Sequence, residues 1–225
     1  MQWRRRVEWT PNELDWWIAA LFIAGSLLFL VGSFPPYSQL VDGRLLGTTF
    51  VVGSVFFTAA AYIAVIQVIN DGSDASTPRK LWAWSPRGAL WWAAVIQLVG
   101  ALLFNVNTID ALFSTFTVEE TNRLVWAPDI VGCMAFLLAS HISWMQLSGR
   151  FWFRNTDDAA WWSSMFNYIG SGFFMTSAIA AFTLKTTGEA INIAIVNTGT
   201  SFGAICFLVG SYVLLPPADH KPQDR

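Results

Sequence analysis

The amino-acid sequence predicts an all-α protein, a polytopic six-helix transmembrane bundle built from three repeated two-helix hairpins with both termini cytoplasmic. Three observations predict this fold. Composition is the first, because 54% of the 225 residues are hydrophobic and only 12% are charged, whereas about a quarter of the residues of a soluble domain are charged. The second is a set of six long apolar segments. The third is a sequence pattern that occurs three times.

Each apolar segment approaches or exceeds the roughly 20 residues that a helix needs to cross a bilayer. Together the six contain one carboxylate, Asp129, and one histidine, His141. The stretches between them are too short for a soluble catalytic module, so we expect a single membrane domain over residues 1–225. The approximate bounds of the segments are Trp16 to Phe34, Leu46 to Ile69, Leu90 to Ile109, Leu124 to Leu147, Ala159 to Leu184 and Ile191 to Leu215.

The repeated pattern has two alternating halves. In the first half, a Trp-Trp pair is followed eight residues later by glycine and then, at plus four, by phenylalanine. In the second, glycine is followed by phenylalanine at plus four and by tyrosine or histidine at plus nine. The first half occurs at Trp16-Trp17, Gly25 and Phe29, at Trp91-Trp92, Gly100 and Phe104, and at Trp161-Trp162, Gly170 and Phe174. The second occurs at Gly53, Phe57 and Tyr62, at Gly132, Phe136 and His141, and at Gly203, Phe207 and Tyr212. The repeat units are about 11–72, 85–148 and 156–217.

Local signals mark where the helices begin and end. Asp15, Ser85-Pro86 and Asp157-Asp158 stand at the starts of the odd-numbered segments, where such residues favour helix entry. Pro35-Pro36 and Pro216-Pro217 are expected to end the first and last segments. We expect the first segment to be a retained helix rather than a cleaved signal peptide, because its apolar run is long and contains Trp-Trp. The glycines are interpreted as helix contacts, since small residues let helices approach closely in lipid.

Basic residues predict the orientation, because Lys and Arg collect in short cytoplasmic segments. Ten of the thirteen lie on the side of the chain termini, at Arg4, Arg5, Arg6, Arg79, Lys80, Arg87, Arg150, Arg154, Lys221 and Arg225. Three lie on the other side, at Arg44, Arg123 and Lys185. The tryptophans agree, since all but Trp126 fall in or beside segments assigned to the cytoplasmic face. Both termini are therefore predicted to be cytoplasmic.

The paired helices, with GSLLF (25–29) before GSVFF (53–57) and IGSGFF (169–174) before FGAICF (202–207), resemble the YrhK-like family of small bacterial membrane hairpins. The similarity extends over most of the chain as three tandem copies. The middle copy departs from the pattern, with Gly100-Ala101 and Gly132-Cys133 in place of Gly-Ser. The resemblance implies a fold and a location in the bacterial plasma membrane as a multi-pass protein, without an established activity.

Polar side chains inside the segments are the candidate binding or transport residues, and they form two layers. The inner layer holds Gln97, His141 and Asn167. One interpretation is that these residues form a polar belt around a common axis, together with Tyr62 and Tyr212. The alternative is that the amides and the histidine form ordinary hydrogen bonds between helices and that the tyrosines lie at the membrane interface.

The outer layer holds Asn105, Asn107 and Asp129. The two asparagines close the third segment and Asp129 begins the fourth, so these side chains are expected to be neighbours in one hairpin. An acid within a membrane helix is suited to bind a cation or carry a proton. The competing interpretation is a carboxylate that reaches the interface or caps the helix start after Pro128.

The sequence gives little support for catalysis. Asp129 and His141 are twelve residues apart, about 18 Å along a helix, so they cannot form a direct pair. The chain lacks the common hydrolase, metalloprotease and phosphate-loop motifs. Cys133 and Cys206 have no metal-ligand spacing and are interpreted as packing residues. We expect no enzyme activity, no cofactor and no metal.

A non-enzymatic structural, accessory or partner-binding bundle is therefore the function that the sequence favours. The alternative is a small-molecule or ion transporter or channel with polar sites in the middle hairpin. The net charge of −2 gives no reason to expect nucleic acid as a partner. The expected partners are the lipid bilayer and either another membrane protein or further copies of the chain.

Overall fold

Seven helices form the regular structure of the described residues. A computed structural model describes residues 9–73, 77–86, 88–113, 115–148 and 158–215. The helices are α1 (Leu14–Ser33), α2 (Pro35–Leu40), α3 (Gly43–Asn70), α4 (Ala89–Phe113), α5 (Val118–Ser148), α6 (Ala159–Ala180) and α7 (Ile193–Leu214). Within these residues there is no β-strand, only an isolated bridge between Thr183 and Ala190. The all-α prediction is confirmed.

Five of these helices are long and apolar enough to cross a membrane: α1, α3, α4, α5 and α7. Helix α6 is also long, but it is not among the five, because it carries four serines together with Asn167 and Thr176. The protein is therefore compatible with a membrane location through five helices. The short helix α2 was not predicted; Pro35-Pro36 do end α1, and they also form the first turn of α2, where their missing N–H groups cost nothing.

The six long helices form a closed ring. Each packs against the next along the chain, from α1 through α3, α4, α5 and α6 to α7, and α7 packs against α1. We call the end of the ring at which α1 ends and α3 begins the outer end; the described residues nearest both chain termini lie at the other end. Each of the six long helices thus has two neighbours and one face toward the ring axis.

The repeated glycines lie where the two helices of a hairpin cross. A Cβ atom on Gly25 would lie 3.0 Å from the Gly53 carbonyl oxygen, and Gly100 and Gly170 stand in the same relation to Gly132 and Gly203, also at 3.0 Å. The phenylalanine four residues after each glycine packs onto the glycine of the partner helix. The interpretation of the glycines as helix contacts is confirmed.

The ring axis is filled by phenylalanine. The rings of Phe57, Phe136 and Phe207 contact each other, with centroids 5.6 to 6.1 Å apart. Each of these side chains is no more than 1% exposed. Phe174 lies beside this group, 5.4 Å from Phe207, and also contacts Phe29 and Phe104. We call Phe57, Phe136 and Phe207 the axial triad; its rings occupy the centre of the bundle.

Hydroxyl pairs join each hairpin to the next. Ser54 of α3 bonds to Thr108 of α4 at 2.9 Å, and Ser140 of α5 bonds to Ser171 of α6 at 3.2 Å. Ser33 and Ser201 join α1 to α7 at 2.7 Å between their Oγ atoms, which closes the ring. Such bonds between membrane helices stabilise by about 1 kcal/mol.

The start of α5 differs from the prediction. The helix begins at Val118 rather than near Leu124, with a capping box in which Thr117 and Glu120 bond reciprocally. A π-helical turn over Thr121–Trp126 comes just before Pro128, and this wider turn lets the helix continue past a residue that lacks an N–H. Asp129 therefore lies about 16 Å along the helix, and its interpretation as a helix cap is wrong.

Other boundaries agree to within a few residues. Asp158 caps α6 by accepting a bond from the Ala160 amide at 2.9 Å, whereas Asp15 lies inside the first turn of α1 and bonds to Gln67. Both asparagines expected to close α4 lie well before its end at Phe113. Several predicted signals lie outside the described residues: Arg4, Arg5, Arg6, Arg87, Arg150, Arg154, Asp157, Pro216-Pro217, Lys221 and Arg225.

The three Trp-Trp pairs have similar geometry. Their ring centroids are 4.9, 4.9 and 5.1 Å apart and their planes are close to perpendicular. Trp17 and Trp92 donate to the carbonyl oxygens of Pro11 and Pro86, six residues earlier. Such a side chain satisfies its N–H while the ring remains available to the bilayer, as an interfacial anchor requires.

Candidate functional site

A cavity of about 330 Å³ lies on the ring axis at the outer end. All six long helices contribute to its wall. Two lining residues, Gly43 and Ala111, are exposed, so the cavity opens to the surface there. The residues that line it are Phe29, Gly43, Leu46, Gly47, Phe50, Phe57, Phe104, Asn107, Thr108, Ala111, Asp129, Cys133, Phe174, Ser177, Ala181, Val196 and Thr200.

Aromatic side chains form the inner part of this cavity. Phe57 belongs both to the cavity lining and to the axial triad. Phe104 and Phe174 also line the cavity, and each contacts a member of the triad at 5.0 to 5.4 Å. The cavity therefore ends at the phenylalanine core.

Asp129 supplies the carboxylate of the cavity. Its side chain is half-buried, and its hydrogen-bond donor is the Cys133 thiol, at the long distance of 3.9 Å. Among the described residues, the ion pair joins two exposed side chains, with Lys185 Nζ 4.0 Å from Glu119 Oε2. Asp129 thus has no cationic side chain beside it in the described part of the chain.

The other polar lining groups are already engaged in the fold. Asn107 donates to the Val125 carbonyl at 3.0 Å, across the α4 and α5 pair. Thr108 donates to the Phe104 carbonyl at 2.8 Å, and Ser177 donates to the Val196 carbonyl at 2.9 Å. Ser177 and Thr200 are 2.9 Å apart across α6 and α7. These groups fix the cavity wall and leave Asp129 as its charged feature.

The structure brings Asn107 and Asp129 to the same cavity, as the sequence predicted for the outer layer, but it separates Asn105 from them. Asn105 faces α3 instead, and its Nδ2 donates to Thr58 Oγ1 at 2.9 Å. A groove beside that bond is lined by Val55, Ala59, Tyr62, Leu98 and Leu102. Asn105 therefore serves the contact between the first two hairpins.

The inner-layer residues lie in separate places rather than around one axis. His141 is half-buried, 5.4 Å from the ring of Tyr168 on α6. Asn167 lies against Gly210 of α7, where a Cβ atom would be 2.9 Å from its Oδ1. Tyr62 and Tyr212 are exposed on the outside of the bundle, and Tyr62 donates to the Leu81 carbonyl. Gln97 is half-buried on α4. The belt expected of the inner layer, with its two tyrosines, is not formed.

Several cavity residues were not identified from the sequence. Thr108, Ser177 and Thr200 carry no charge, and hydroxyls are common in membrane helices because they bond to their own backbone. A signal did exist for Ser177, since it follows Gly170 by seven residues and therefore lies only about 20° from it around the helix.

Metal binding has little geometric support. The described residues contain no group of three or more His, Cys, Asp or Glu side chains placed to hold a metal ion. Cys133 is buried and Cys206 partly buried, and neither forms a disulfide. The Cys206 Cβ atom lies 3.0 Å from the position that a Cβ on Gly170 would occupy, so this residue packs against the glycine contact.

The first hairpin of the chain is similar to one known protein family. Residues 5–69 match the family model of YrhK-like proteins. The match contains α1, α2 and nearly all of α3, so the first hairpin is similar to YrhK-like proteins, in agreement with the resemblance seen in the sequence. The search of curated proteins and the search of solved structures each found no match. The matched segment contributes Phe29, Phe50 and Phe57 to the cavity, whereas Asp129 lies beyond it.

Proposed function

We propose that this protein is a multi-pass membrane bundle of three tandem YrhK-like hairpins, closed to ions along its axis, with a structural or binding role rather than a transport or catalytic one. The observation that carries the proposal is the axial triad. Three side chains no more than 1% exposed, with centroids 5.6 to 6.1 Å apart, leave no room for a hydrated ion on the axis.

Tandem repetition is supported by equivalent contacts. Gly25, Gly100 and Gly170 each face a phenylalanine of the partner helix, with Cβ positions 2.5, 2.7 and 2.8 Å from the Cδ2 atoms of Phe57, Phe136 and Phe207. Contacts this similar in three hairpins are expected of copies of one unit and would otherwise be a coincidence of packing.

All six long helices cross the membrane in this proposal, with both termini cytoplasmic and the protein in the plasma membrane. Helix α6 is included because it packs between α5 and α7, both apolar enough to span. Two of its polar side chains, Ser171 and Ser177, bond to neighbouring helices rather than facing lipid. The basic residues favour the cytoplasmic side for the termini.

A non-enzymatic role is supported by the separation of the reactive groups. His141 and Asp129 lie twelve residues apart on α5, on the two sides of the phenylalanine core, and a catalytic site needs such groups within hydrogen-bond reach. The binding partner in this proposal is a second membrane protein or another copy of the chain.

Transport is the second candidate, and one observation favours it. The cavity at the outer end contains Asp129, and transporters bind their substrates in cavities between repeated units. The cavity ends at Phe57, however, so a substrate bound there has a path to one side of the membrane only.

Flux into liposomes tests the proposal. The purified protein should leave vesicles as impermeable to K⁺ as empty ones, and replacing Phe57, Phe136 and Phe207 together by alanine should raise leakage. Phe173→Ala is the matched control, because Phe173 lies on the outer surface against Phe202. A saturable flux through the unaltered protein that Asp129→Asn abolishes would refute the closed bundle and support the transporter.

A further inference from the structure

The cavity at the outer end combines one carboxylate with an aromatic interior. We propose that it binds a small organic monocation of the ammonium class, with Asp129 as counter-ion and the phenylalanines against the alkyl groups. This inference rests on the proposed function, since it gives the closed bundle a ligand class. The cavity volume of about 330 Å³ is at the small end of the range for ligand pockets.

Asp129 requires a positive partner if it is ionised. A half-buried carboxylate within a membrane helix is costly unless a cation or several donors stabilise it. Its donor is a thiol at 3.9 Å, a weak and distant one, and the described cationic side chains are not paired with it. A bound cation in the cavity would supply the missing partner.

The aromatic lining selects the kind of cation. Five lining residues are phenylalanines, at positions 29, 50, 57, 104 and 174. An alkylated ammonium ion gains from apolar contact with such rings and from electrostatic attraction to their negative faces. A strongly hydrated ion gains little there and loses its water.

The cavity holds too little negative charge for a hard metal ion. Ca²⁺ and Mg²⁺ are bound by about six or more oxygen ligands, and several of these are usually charged. The cavity offers one carboxylate, and its other side-chain oxygens, on Asn107, Thr108, Ser177 and Thr200, are uncharged. An ammonium ion needs only the single counter-charge.

The charge at the outer end also favours a cation. Six carboxylates lie there against three basic side chains; the acids are Asp42, Asp110, Glu119, Glu120, Asp129 and Glu189, and the bases are Arg44, Arg123 and Lys185. An excess of negative charge around an opening raises the local concentration of cations and speeds their arrival.

Binding of tetramethylammonium to the purified full chain in detergent tests the inference. Tetramethylammonium chloride replaces NaCl step by step, so that the ionic strength stays constant. Tetramethylammonium should bind saturably and raise the unfolding temperature, because a ligand of the native state stabilises that state. Asp129→Asn should abolish both effects. Asp110→Asn should retain both, since it removes an equal charge at the same end but does not line the cavity.

A second variant covers the case in which Asp129→Asn does not fold. Val196→Phe fills the cavity and leaves every charge in place, and it should also abolish saturable binding. The inference is overturned if the unaltered protein shows no saturable binding up to tens of millimolar, if NaCl gives the same stabilisation, or if a folded Asp129→Asn protein still binds. Uptake of tetramethylammonium into liposomes would instead refute the closed bundle, but it would agree with an ammonium ion as the ligand.

Discussion

The ring of Phe57 lies directly against the backbone of Gly25, so that a Cβ atom on Gly25 would stand only 2.5 Å from Phe57 Cδ2. The same residue reaches the ring axis, where it contacts Phe136 and Phe207. Gly25 thus allows α1 and α3 to pack closely. This close packing places the Phe57 side chain in the core of the bundle.

Alanine at a contact glycine should therefore destabilise the bundle. Gly170→Ala would place a methyl group 2.8 Å from Phe207 Cδ2 and 3.0 Å from the Gly203 carbonyl, which should cost about 1 to 3 kcal/mol of unfolding free energy. The matched control is Gly172→Ala, two residues along the same helix, where no heavy atom lies within 4 Å of the added carbon. That variant should be neutral or slightly more stable. Unfolding in detergent followed by circular dichroism measures both, and equal losses would contradict the packing role.

The hydroxyl pairs between hairpins should be measurable by a double-mutant cycle. Ser54→Ala and Thr108→Val each remove one member of a buried pair at 2.9 Å. Because the two hydroxyls bond across α3 and α4, their effects on unfolding free energy should be coupled by about 1 kcal/mol. Strict additivity of the two substitutions would show that the pair does not hold the hairpins together.

Labelling of single cysteines tests the number of spans and the orientation. In a protein with Cys133 and Cys206 replaced by alanine, Thr187→Cys in the loop after α6 should react with a membrane-impermeant maleimide in intact cells. Ser73→Cys in the loop after α3 should react only after the cells are opened. Both loop positions are exposed. If α6 does not cross, Thr187→Cys will be protected like Ser73→Cys.

Helix periodicity explains which parts of the fold could be predicted. A phenylalanine four residues after a glycine lies about 40° from it around the helix, so Gly53 and Phe57 share the face that packs inward. A residue at plus nine lies about 180° away, on the opposite face, and Tyr62 is accordingly exposed. The polar belt of the inner layer was expected because its residues lie at a similar depth in the membrane. Their direction around the helix argues against the belt, because a residue at plus nine points away from the axis.

The site was less predictable than the fold because it depends on distant contacts. Asp129 was identified from its charge, but its place inside α5 depends on a π-helical turn that periodicity does not show. Asn105 and Asn107 are two residues apart and therefore face different neighbours, α3 and α5. Thr108 and Thr200 meet in one cavity only because the ring closes.

Ring closure is tested most directly by joining α1 to α7 with a disulfide. In membranes containing the Cys133→Ala, Cys206→Ala protein, Ser33→Cys with Ser201→Cys should form an intramolecular disulfide under mild oxidation, because the two Oγ atoms are 2.7 Å apart. Ser33→Cys with Phe202→Cys is the control, since Phe202 is exposed about 100° further round α7. Rapid cross-linking of the first pair within one chain is the predicted result; no cross-link, or one formed only between chains, would contradict a closed six-helix ring.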